Sequence, residues 1–483
     1  MNSAGYRYAA SDQAFYIPAI LRQLDPALFP RDTGLIDSQA RLTLIDEISA
    51  AVVHQTGVSL QHLFFALYLL SLLLLFAAAI AIGSRLYRTG WAVIALGAAL
   101  TLRHAIAKTG ANTLEGYFHP RELAFALGLC AVAGLLARRN ALAIVLLLAG
   151  AAIHPTTALW FFVWLAVAAW FARPAWRPAL LACAAASIVV GVIAVTRGPL
   201  SAHLVRMDAD WLAAIGEKDL YPFEWPLDAW LTNVIAVPIL FFAWRARRRA
   251  GVLVPGETPL VAGALALFVL FLCWLPFNAA RVALAVQLQL SRVFWMLDIF
   301  ATIYLVWWLA EGRAVAQASG SARDGRTALH YMPRVLAGVL VLLSLGRGVY
   351  TTFVQFPDRR IFAIDVQHDD WREAMAFVRT TDPASGWLAD PIHAAKYGAS
   401  LRATGHRDVL LEALKDPAIA MYDRPTAMRL ADRQRALQAL QWDTPDGARA
   451  LARRFGLDYL AIDREIGLPL VHQSGSLYVY RLR

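Results

Sequence analysis

The residues with the clearest chemical potential crowd into one stretch, between positions 103 and 122. It holds three cations, two histidines and two carboxylates: Arg103, His104, Lys108, Glu115, His119, Arg121 and Glu122. Arginine and lysine together suit a phosphate or pyrophosphate, because a guanidinium can bind two oxygens of one phosphate. The alternative is a group of interfacial charges that snorkel and pair with one another, such as Arg121 with Glu115.

Two carboxylates in the N-terminal segment, Asp12 and Asp32, suggest acid–base chemistry. A carboxylate held near a reacting carbon can accept the proton of an attacking hydroxyl group. The alternative is that they cap helices, with Ser11 or Asp12 capping the first helix and Asp32 the next. Both interpretations stay open at this point.

Two further residues, His154 and Arg292, lie beside or inside apolar runs. His154 precedes Pro155 at a hairpin tip, where it can bind a phosphate or simply form a turn. Arg292 needs an anion or a carboxylate as its partner at this depth. Asp298 is six positions further on, so it is not on the same helical face. Arg292 is therefore left for a ligand phosphate or for a carboxylate on another helix.

Residue spacing predicts no metal ligands and no cofactor. The sequence contains no HExxH, CxxC, Walker or GxGxxG pattern. A need for a divalent cation stays open. Cys130, Cys183 and Cys273 all lie in apolar spans, so we expect no disulfide and no cysteine-based metal site.

The elements that must position these residues are membrane helices. The chain has 483 residues, of which 59% are hydrophobic and 17% charged, which is too apolar for an ordinary soluble domain. A stretch without charges, residues 63–82, is long enough to cross a bilayer as one helix. Ten such spans are predicted, at roughly 60–82, 91–107, 119–137, 141–155, 157–172, 179–196, 227–244, 259–277, 286–310 and 334–353.

Arginines mark every second loop of this polytopic α-helical chain. They stand at positions 85 and 88, 138 and 139, 173 and 177, 245 to 249, and 313 to 334. Because basic loops stay in the cytoplasm, the loops rich in histidine, carboxylates and aromatic residues face outwards. The same loops explain most of the net charge of +10, so nucleic acid is not an expected partner.

The alternation also divides the chain into three parts. Residues 1–59 form an outer N-terminal segment with helices at 11–24 and 38–56, residues 60–353 form the helical bundle, and residues 354–483 lie outside. A polar segment rarely crosses a membrane without a leading hydrophobic helix. We therefore expect a further transmembrane helix upstream of Met1, lost through a start codon assigned too late. The alternative is a native start with direct translocation of the segment.

The last part changes character to a small α/β domain. Charges become frequent and apolar runs shorten after about residue 365. The pattern predicts helices at 370–380 and 444–455 and strands at 387–390, 459–462 and 477–481. Alternating helices and strands of this kind are typical of a compact α/β domain, here placed in the periplasm.

Five short motifs together resemble the GT-C superfamily of integral membrane glycosyltransferases. They stand at residues 11–18, 25–32, 118–125, 154–160 and 289–292. Members of that superfamily take a sugar from a polyprenyl-phosphate donor, carry a catalytic acid in the first outer loop, and often end in an extracytoplasmic domain. The resemblance spans most of the chain. Asp12-Gln13 stands where better-known members have Asp-Glu or Asp-Asp.

The resemblance implies a bacterial inner-membrane enzyme that transfers a sugar, with inversion, to an acceptor at the periplasmic face. Asp12 would be the base and Asp32 a supporting carboxylate. The residues implied to bind substrate are Arg103, Lys108, Arg121 and Arg292 for the lipid phosphate, His119 and His154 to orient it, and Glu122. The partners would be the polyprenyl-phosphate-linked sugar, membrane lipid and an acceptor of unknown identity. The alternatives are a transporter or flippase for a lipid-linked saccharide and a non-catalytic cell-envelope assembly protein.

Overall fold

A computed structural model shows how the chain folds. The structure describes residues 2–3, 5–40, 43–102, 104–198, 200–216, 218–312, 315 and 322–483. A helical bundle occupies the middle of the chain, and the two ends of the chain fold together over one end of it.

The bundle is built from apolar helices that follow one another along the chain. These are α4 (Leu60–Leu86), α5 (Gly90–Thr101), α6 (Pro120–Leu136), α7 (Asn140–Ile153), α8 (Pro155–Ala172), α9 (Arg177–Thr196), α10 (Ala209–Ile215), α11 (Leu227–Val234), α12 (Ala236–Arg249), α13 (Glu257–Ala279), α14 (Ala283–Gln287), α15 (Val293–Trp307) and α16 (Ala322–Tyr350). Within the described residues, seven helical stretches are long and apolar enough to cross a membrane. The chain therefore has the helices of a membrane protein.

All ten predicted spans fall on helices, but several of these helices are short. Helix α5 has 12 residues, α7 has 14 and α6 has 17. The predicted span 91–107 was too long, because α5 ends at Thr101 and the chain turns into a small hairpin of β2 (Ala105–Ile106) and β3 (Ala111–Asn112). The count of ten membrane-crossing helices stays a prediction.

Buried charges fasten the loops at the arginine-rich end of the bundle. The carboxylate of Glu311 accepts the backbone N–H groups of Arg88 and Thr89 at 2.9 Å. Arg247 forms a buried ion pair with Glu257 at 2.5 Å, and the guanidinium lies over the ring of Trp307. A buried arginine keeps its charge only with such partners, so these contacts fix how the helices end here.

The N-terminal segment forms three helices and one short strand. They are β1 (Tyr6–Arg7), α1 (Gln13–Leu24), α2 (Thr33–Ala40) and α3 (Ile45–Thr56). The first predicted helix is confirmed within two residues. The second, predicted for 38–56, is two helices, since Thr43 and Leu44 before α3 are not helical.

The C-terminal part contains a five-stranded mixed sheet in the order β6, β5, β7, β9, β8. Its strands are β5 (Gly386–Ala389), β6 (Asp408–Val409), β7 (Tyr459–Ile462), β8 (Leu470–Ser474) and β9 (Leu477–Arg481), after a short β4 (Phe362–Ala363). Its helices are α17 (Asp369–Thr380), α18 (His393–Lys396), α19 (Leu401–Gly405), α20 (Asp416–Ala420), α21 (Arg424–Ala439) and α22 (Pro445–Phe455). Strands β6, β5 and β7 are parallel and β9 is antiparallel to both β7 and β8. The predicted helices and strands of this part are confirmed to within one residue at each end.

The two ends of the chain share one hydrophobic core. Tyr6, Ile17, Phe64, Trp371 and Trp387 belong to a single buried cluster drawn from the N-terminal segment, α4 and the C-terminal domain. Strand β1 also pairs in parallel with β4. The N-terminal segment and the C-terminal domain therefore pack together as one unit, called the cap below.

Candidate functional site

A large cavity lies where the cap meets the bundle. It measures about 880 Å³ and is lined by the N-terminal segment, the loop before α6, the starts of α8 and α15, the end of α16 and the loop around α20. Six of the nine residues that the sequence singled out line it: Asp12, Lys108, His119, Arg121, His154 and Arg292. Arg292 reaches it from the 3₁₀ turn before α15.

Asp12 lies at the start of α1, and its side chain points away from the helix. It makes no capping hydrogen bond, so the capping interpretation does not apply to this carboxylate. Oδ2 lies 3.0 Å from His119 Nε2, and Oδ1 lies 2.5 Å from Lys415 Nζ. The neighbouring Gln13 is fully buried and donates to the carbonyl of Phe118 at 3.0 Å. This bond ties the start of α1 to the loop that carries His119.

His119 is neutral and its tautomer follows from its hydrogen bonds. Its Nδ1 accepts the backbone N–H of Arg121 at 3.1 Å and thereby caps α6. Nε2 must then carry the hydrogen that is donated to Asp12. Burial, together with the charge of Arg121, lowers the pKa of His119 to about 4. The ring is therefore a hydrogen-bond donor to Asp12 near neutral pH and not a cation.

The surrounding charges keep Asp12 ionised. Burial alone would raise its pKa, but Lys415, the His119 hydrogen bond and Arg121 hold the pKa well below its usual range. Arg121 itself is buried, forms an ion pair with Glu115 and lies 3.9 Å from Asp12. The pairing of Arg121 with Glu115 that the sequence suggested as an alternative is thus present, yet Arg121 still lines the cavity.

His154 caps helix α8 and also faces the cavity. Its Nδ1 accepts the backbone N–H of Thr157 at 3.3 Å, which leaves Nε2–H as the free donor. Burial and the charges around it lower the pKa of His154 well below its usual value, so it is neutral too. The turn role and the cavity role proposed for His154 are therefore compatible.

The remaining predicted residues have other positions. Lys108 lies 3.0 Å from Asp219, so its charge is paired. Glu122 is buried behind the cavity wall, where it accepts the backbone N–H of Glu115 at 2.8 Å. Arg103 lies outside the residues that the structure describes.

Asp32 is not brought to the cavity. Its buried carboxylate lies 3.2 Å from Arg402 and 2.9 Å from Arg433, both in the C-terminal domain. Its backbone N–H donates to Asp408 at 3.1 Å. The supporting catalytic role expected for Asp32 therefore has no geometric basis, because its charge is used to hold the cap together.

Four cavity residues were missed by reasoning from sequence: Arg7, Arg347, Arg359 and Lys415. They come from both ends of the chain and from the C-terminal end of α16. The positive-inside rule accounted for the arginines of the chain as a group. It gave no reason to assign a binding role to these particular arginines. Lys415 had no local signal, because its partner Asp12 is about four hundred residues away in sequence.

The cavity carries an excess of positive charge. Seven cationic and three anionic side chains line it among the described residues, an excess of four positive charges. The three carboxylates Asp12, Glu115 and Asp219 are each paired with a cation. Arg7, Arg292 and Arg347 each have a buried Nε without a hydrogen-bond partner. A buried guanidinium with unused donors is costly, and an anionic ligand is the group that would satisfy it.

No group of three or more histidine, cysteine or acidic side chains that could hold a metal occurs among the described residues. The chemistry that the cavity offers is thus an ionised carboxylate, neutral imidazole donors and guanidinium groups. A search against protein-family models finds no match to this chain, and a search of curated proteins finds none either. The resemblance to GT-C glycosyltransferases stays a prediction that rests on the five motifs.

Proposed function

We propose that this chain is a GT-C-type membrane glycosyltransferase that moves a sugar from a polyprenyl-phosphate carrier to an acceptor hydroxyl at the outer, periplasmic face. The observation that carries the proposal is that one cavity is lined by the ionised Asp12 carboxylate and by the guanidinium of Arg292, whose buried Nε has no hydrogen-bond partner. A base for the acceptor and a cation for the leaving phosphate are the two groups that this reaction requires.

Asp12 accepts the proton of the acceptor hydroxyl as its oxygen attacks the anomeric carbon. His119 holds Oδ2 through its Nε2–H, so the carboxylate keeps a fixed orientation. Lys415 binds the other oxygen and weakens it as a base. The donor phosphate attracts the same ammonium group, so binding of the donor draws Lys415 away from Asp12 and raises the basicity of the carboxylate.

The bond from the anomeric carbon to the phosphate oxygen breaks, and the lipid phosphate leaves with the electron pair. Arg292 and Arg121 stabilise the charge that develops on this oxygen, and His154 donates a further hydrogen bond from Nε2. Attack from the side opposite the leaving phosphate inverts the sugar configuration. Lys108, already paired with Asp219, contributes at the rim of the cavity.

The test is sugar transfer by the purified full chain from a panel of radiolabelled polyprenyl-phosphate sugars. Replacing Asp12 by Asn should reduce transfer by at least about 100-fold, the usual effect of removing a general base. Glu47→Gln is the matched control, since Glu47 is an exposed acid in the same N-terminal segment. Retained binding of the donor by Asp12→Asn shows that the variant is folded.

Full transfer by the Asp12→Asn variant would overturn the catalytic proposal. If neither the wild type nor the variant transfers sugar but both bind the lipid-linked saccharide, the transporter and the assembly interpretations are favoured. Movement of that saccharide across vesicles containing the protein then separates these two.

A further inference from the structure

We infer that the cavity contains a second anion-binding subsite, formed by Arg7, Arg347 and Arg359, which binds a phosphate or carboxylate group other than the donor phosphate. The inference deepens the proposed function and rests on it for the role of Arg292 in binding the donor phosphate. These three residues are called the outer arginines below.

The outer arginines line the cavity and are not neutralised. None of them forms an ion pair with a carboxylate among the described residues, and Nε of both Arg7 and Arg347 is buried without a hydrogen-bond partner. Arg359 lies over the ring of Phe356 at 3.8 Å, which orients its guanidinium. Unused donors of this kind on separate elements are what an anion would bridge.

The strand pair brings the backbone near Arg359 to the same wall of the cavity as Arg7. Arg7 stands on β1 in register with Ala363 of β4, four residues after Arg359, and both arginines line the cavity. Gly5 and Gly116 allow this approach. Gly5 has φ +80° and a Cβ on it would lie 2.2 Å from the carbonyl oxygen of Ile361, while a Cβ on Gly116 would lie 2.6 Å from the carbonyl oxygen of Gly5. Two like charges brought together without a counter-ion favour an anion between them.

The outer arginines and Arg292 stand on different elements of the cavity wall. Arg7 lies on β1, Arg347 near the end of α16 and Arg359 before β4, whereas Arg292 lies in the turn before α15. Burial and the charge of Arg359 lower the pKa of Arg7. An anion bound by the outer arginines is therefore held by elements other than the turn that carries Arg292. Amide and hydroxyl side chains of Asn2, Ser3, Asn112 and Gln355 line the same cavity and offer further polar contacts.

Two sources of the second anionic group are possible, and one experiment distinguishes them. Purified full chain in detergent is titrated with farnesyl phosphate, with farnesyl diphosphate, and with inorganic phosphate after saturation with farnesyl phosphate. The variants are Arg7→Gln combined with Arg359→Gln, Arg292→Gln, and the control Arg360→Gln. Arg360 is adjacent to Arg359 in sequence but exposed and outside the cavity lining.

The outer double variant should bind farnesyl phosphate like the control. It should lose about 10-fold to 100-fold in affinity for one of the other two probes, as expected for removing charged hydrogen bonds. A loss for farnesyl diphosphate assigns the subsite to a second phosphate of the donor. A loss for inorganic phosphate in the saturated protein assigns it to an anionic group of the acceptor. Arg292→Gln should weaken farnesyl phosphate itself.

The inference is overturned if the outer double variant binds all probes like the control, or weakens farnesyl phosphate as much as the others. If the double variant does not fold, Arg347→Gln, a single change on helix α16, replaces it. A selective loss of affinity for one of the other two probes again supports the inference, and no selective loss again overturns it. Binding decides this inference, whereas Asp12-dependent transfer decides the proposed function. Either can therefore fail while the other stands.

Discussion

At the scale of single residues, the site depends on a neutral histidine that donates to an ionised carboxylate. His119 has its Nδ1 committed to the backbone of α6 and its Nε2 to Asp12. A protonated His119 would need a second acceptor in place of the Arg121 N–H group. The hydrogen bonds of His119 therefore require its neutral form, in agreement with its low pKa, and this pKa predicts how the stability of the protein responds to acid.

Acidification should destabilise the protein through His119. Its pKa is 6.5 as a free side chain and about 4 in the folded chain. As the pH falls, the unfolded state therefore takes up this proton at a higher pH than the folded state does. The stability that it contributes is complete above 6.5 and is lost as the pH falls towards 4. Between about pH 7 and about pH 5 the loss is about 2 kcal/mol.

Thermal unfolding in detergent at the two pH values measures this loss. His119→Gln keeps a donor for Asp12 but does not titrate, so its melting temperature should depend less on pH than that of the wild type. His154 and His406, whose pKa values are also lowered by burial, add dependence of the same sign in both proteins. An equal pH dependence in wild type and variant would contradict the assignment to His119.

At the scale of elements, the β1–β4 pair helps to build the cavity wall although each strand has only two residues. It places Arg7 opposite Ala363 and brings the segment with Arg359 to the same wall of the cavity. Tyr6 N–H donates to the carbonyl of Ile361 at 2.8 Å, and Arg7 N–H donates to that of Gly116 at the same distance. The pair is short, so its position depends on the close backbone approach at Gly5.

Gly5→Ala should separate β1 from β4. The added Cβ would lie 2.2 Å from the carbonyl oxygen of Ile361, in addition to the strain of a positive φ. Gly57→Ala is the matched control, because Gly57 has φ +69° with nothing within 4 Å of the added Cβ and should cost only about 1 kcal/mol.

Hydrogen exchange of the Tyr6 and Tyr8 amides measures the effect, since both donate to the β4 strand region. We expect faster exchange in Gly5→Ala and unchanged exchange in Gly57→Ala. Equal protection in the two variants would show that the strand pair tolerates the added methyl group.

At the scale of the whole molecule, buried charges join the two ends of the chain. Asp32 from the N-terminal segment meets Arg402 and Arg433 from the C-terminal domain, and Arg402 also binds Asp416 in two hydrogen bonds. Asp416 opens α20, next to Lys415, whose ammonium reaches Asp12. The ion pairs of Asp32, Arg402 and Asp416 are thus linked to the candidate site through the adjacent residues Lys415 and Asp416.

Asp32→Ala should loosen the cap. Removing this buried carboxylate takes away a counter-charge from the guanidinium groups of Arg402 and Arg433. The free energy of unfolding should fall by about 3–5 kcal/mol. Limited proteolysis should then cut the C-terminal domain sooner than in the wild type. Asp210→Ala, a change at an exposed acid, is the control. Unchanged cleavage of Asp32→Ala would mean that the apolar core alone holds the cap.

The sequence by itself determined the local structure. Apolar runs placed the long helices of the bundle, because a long uninterrupted hydrophobic stretch has few other stable states. Alternation and turn residues placed α17, α22, β5, β7 and β9 to within one residue. The motif with Asp12 and the loop with His119 and Arg121 were found because ionisable groups stand out against an apolar background. Boundaries failed where polar tertiary contacts end a helix, as at Thr101.

Only the tertiary structure decided which charges work together. Asp12 and Asp32 looked alike in sequence. Asp12 faces a cavity, whereas Asp32 forms buried ion pairs with Arg402 and Arg433. Lys415 joins Asp12 across most of the chain, and a two-residue strand pair brings Arg7 and the segment with Arg359 to one cavity wall. Such pairs leave no local pattern, because the energy of an ion pair depends on distance in space and on burial, not on separation in sequence.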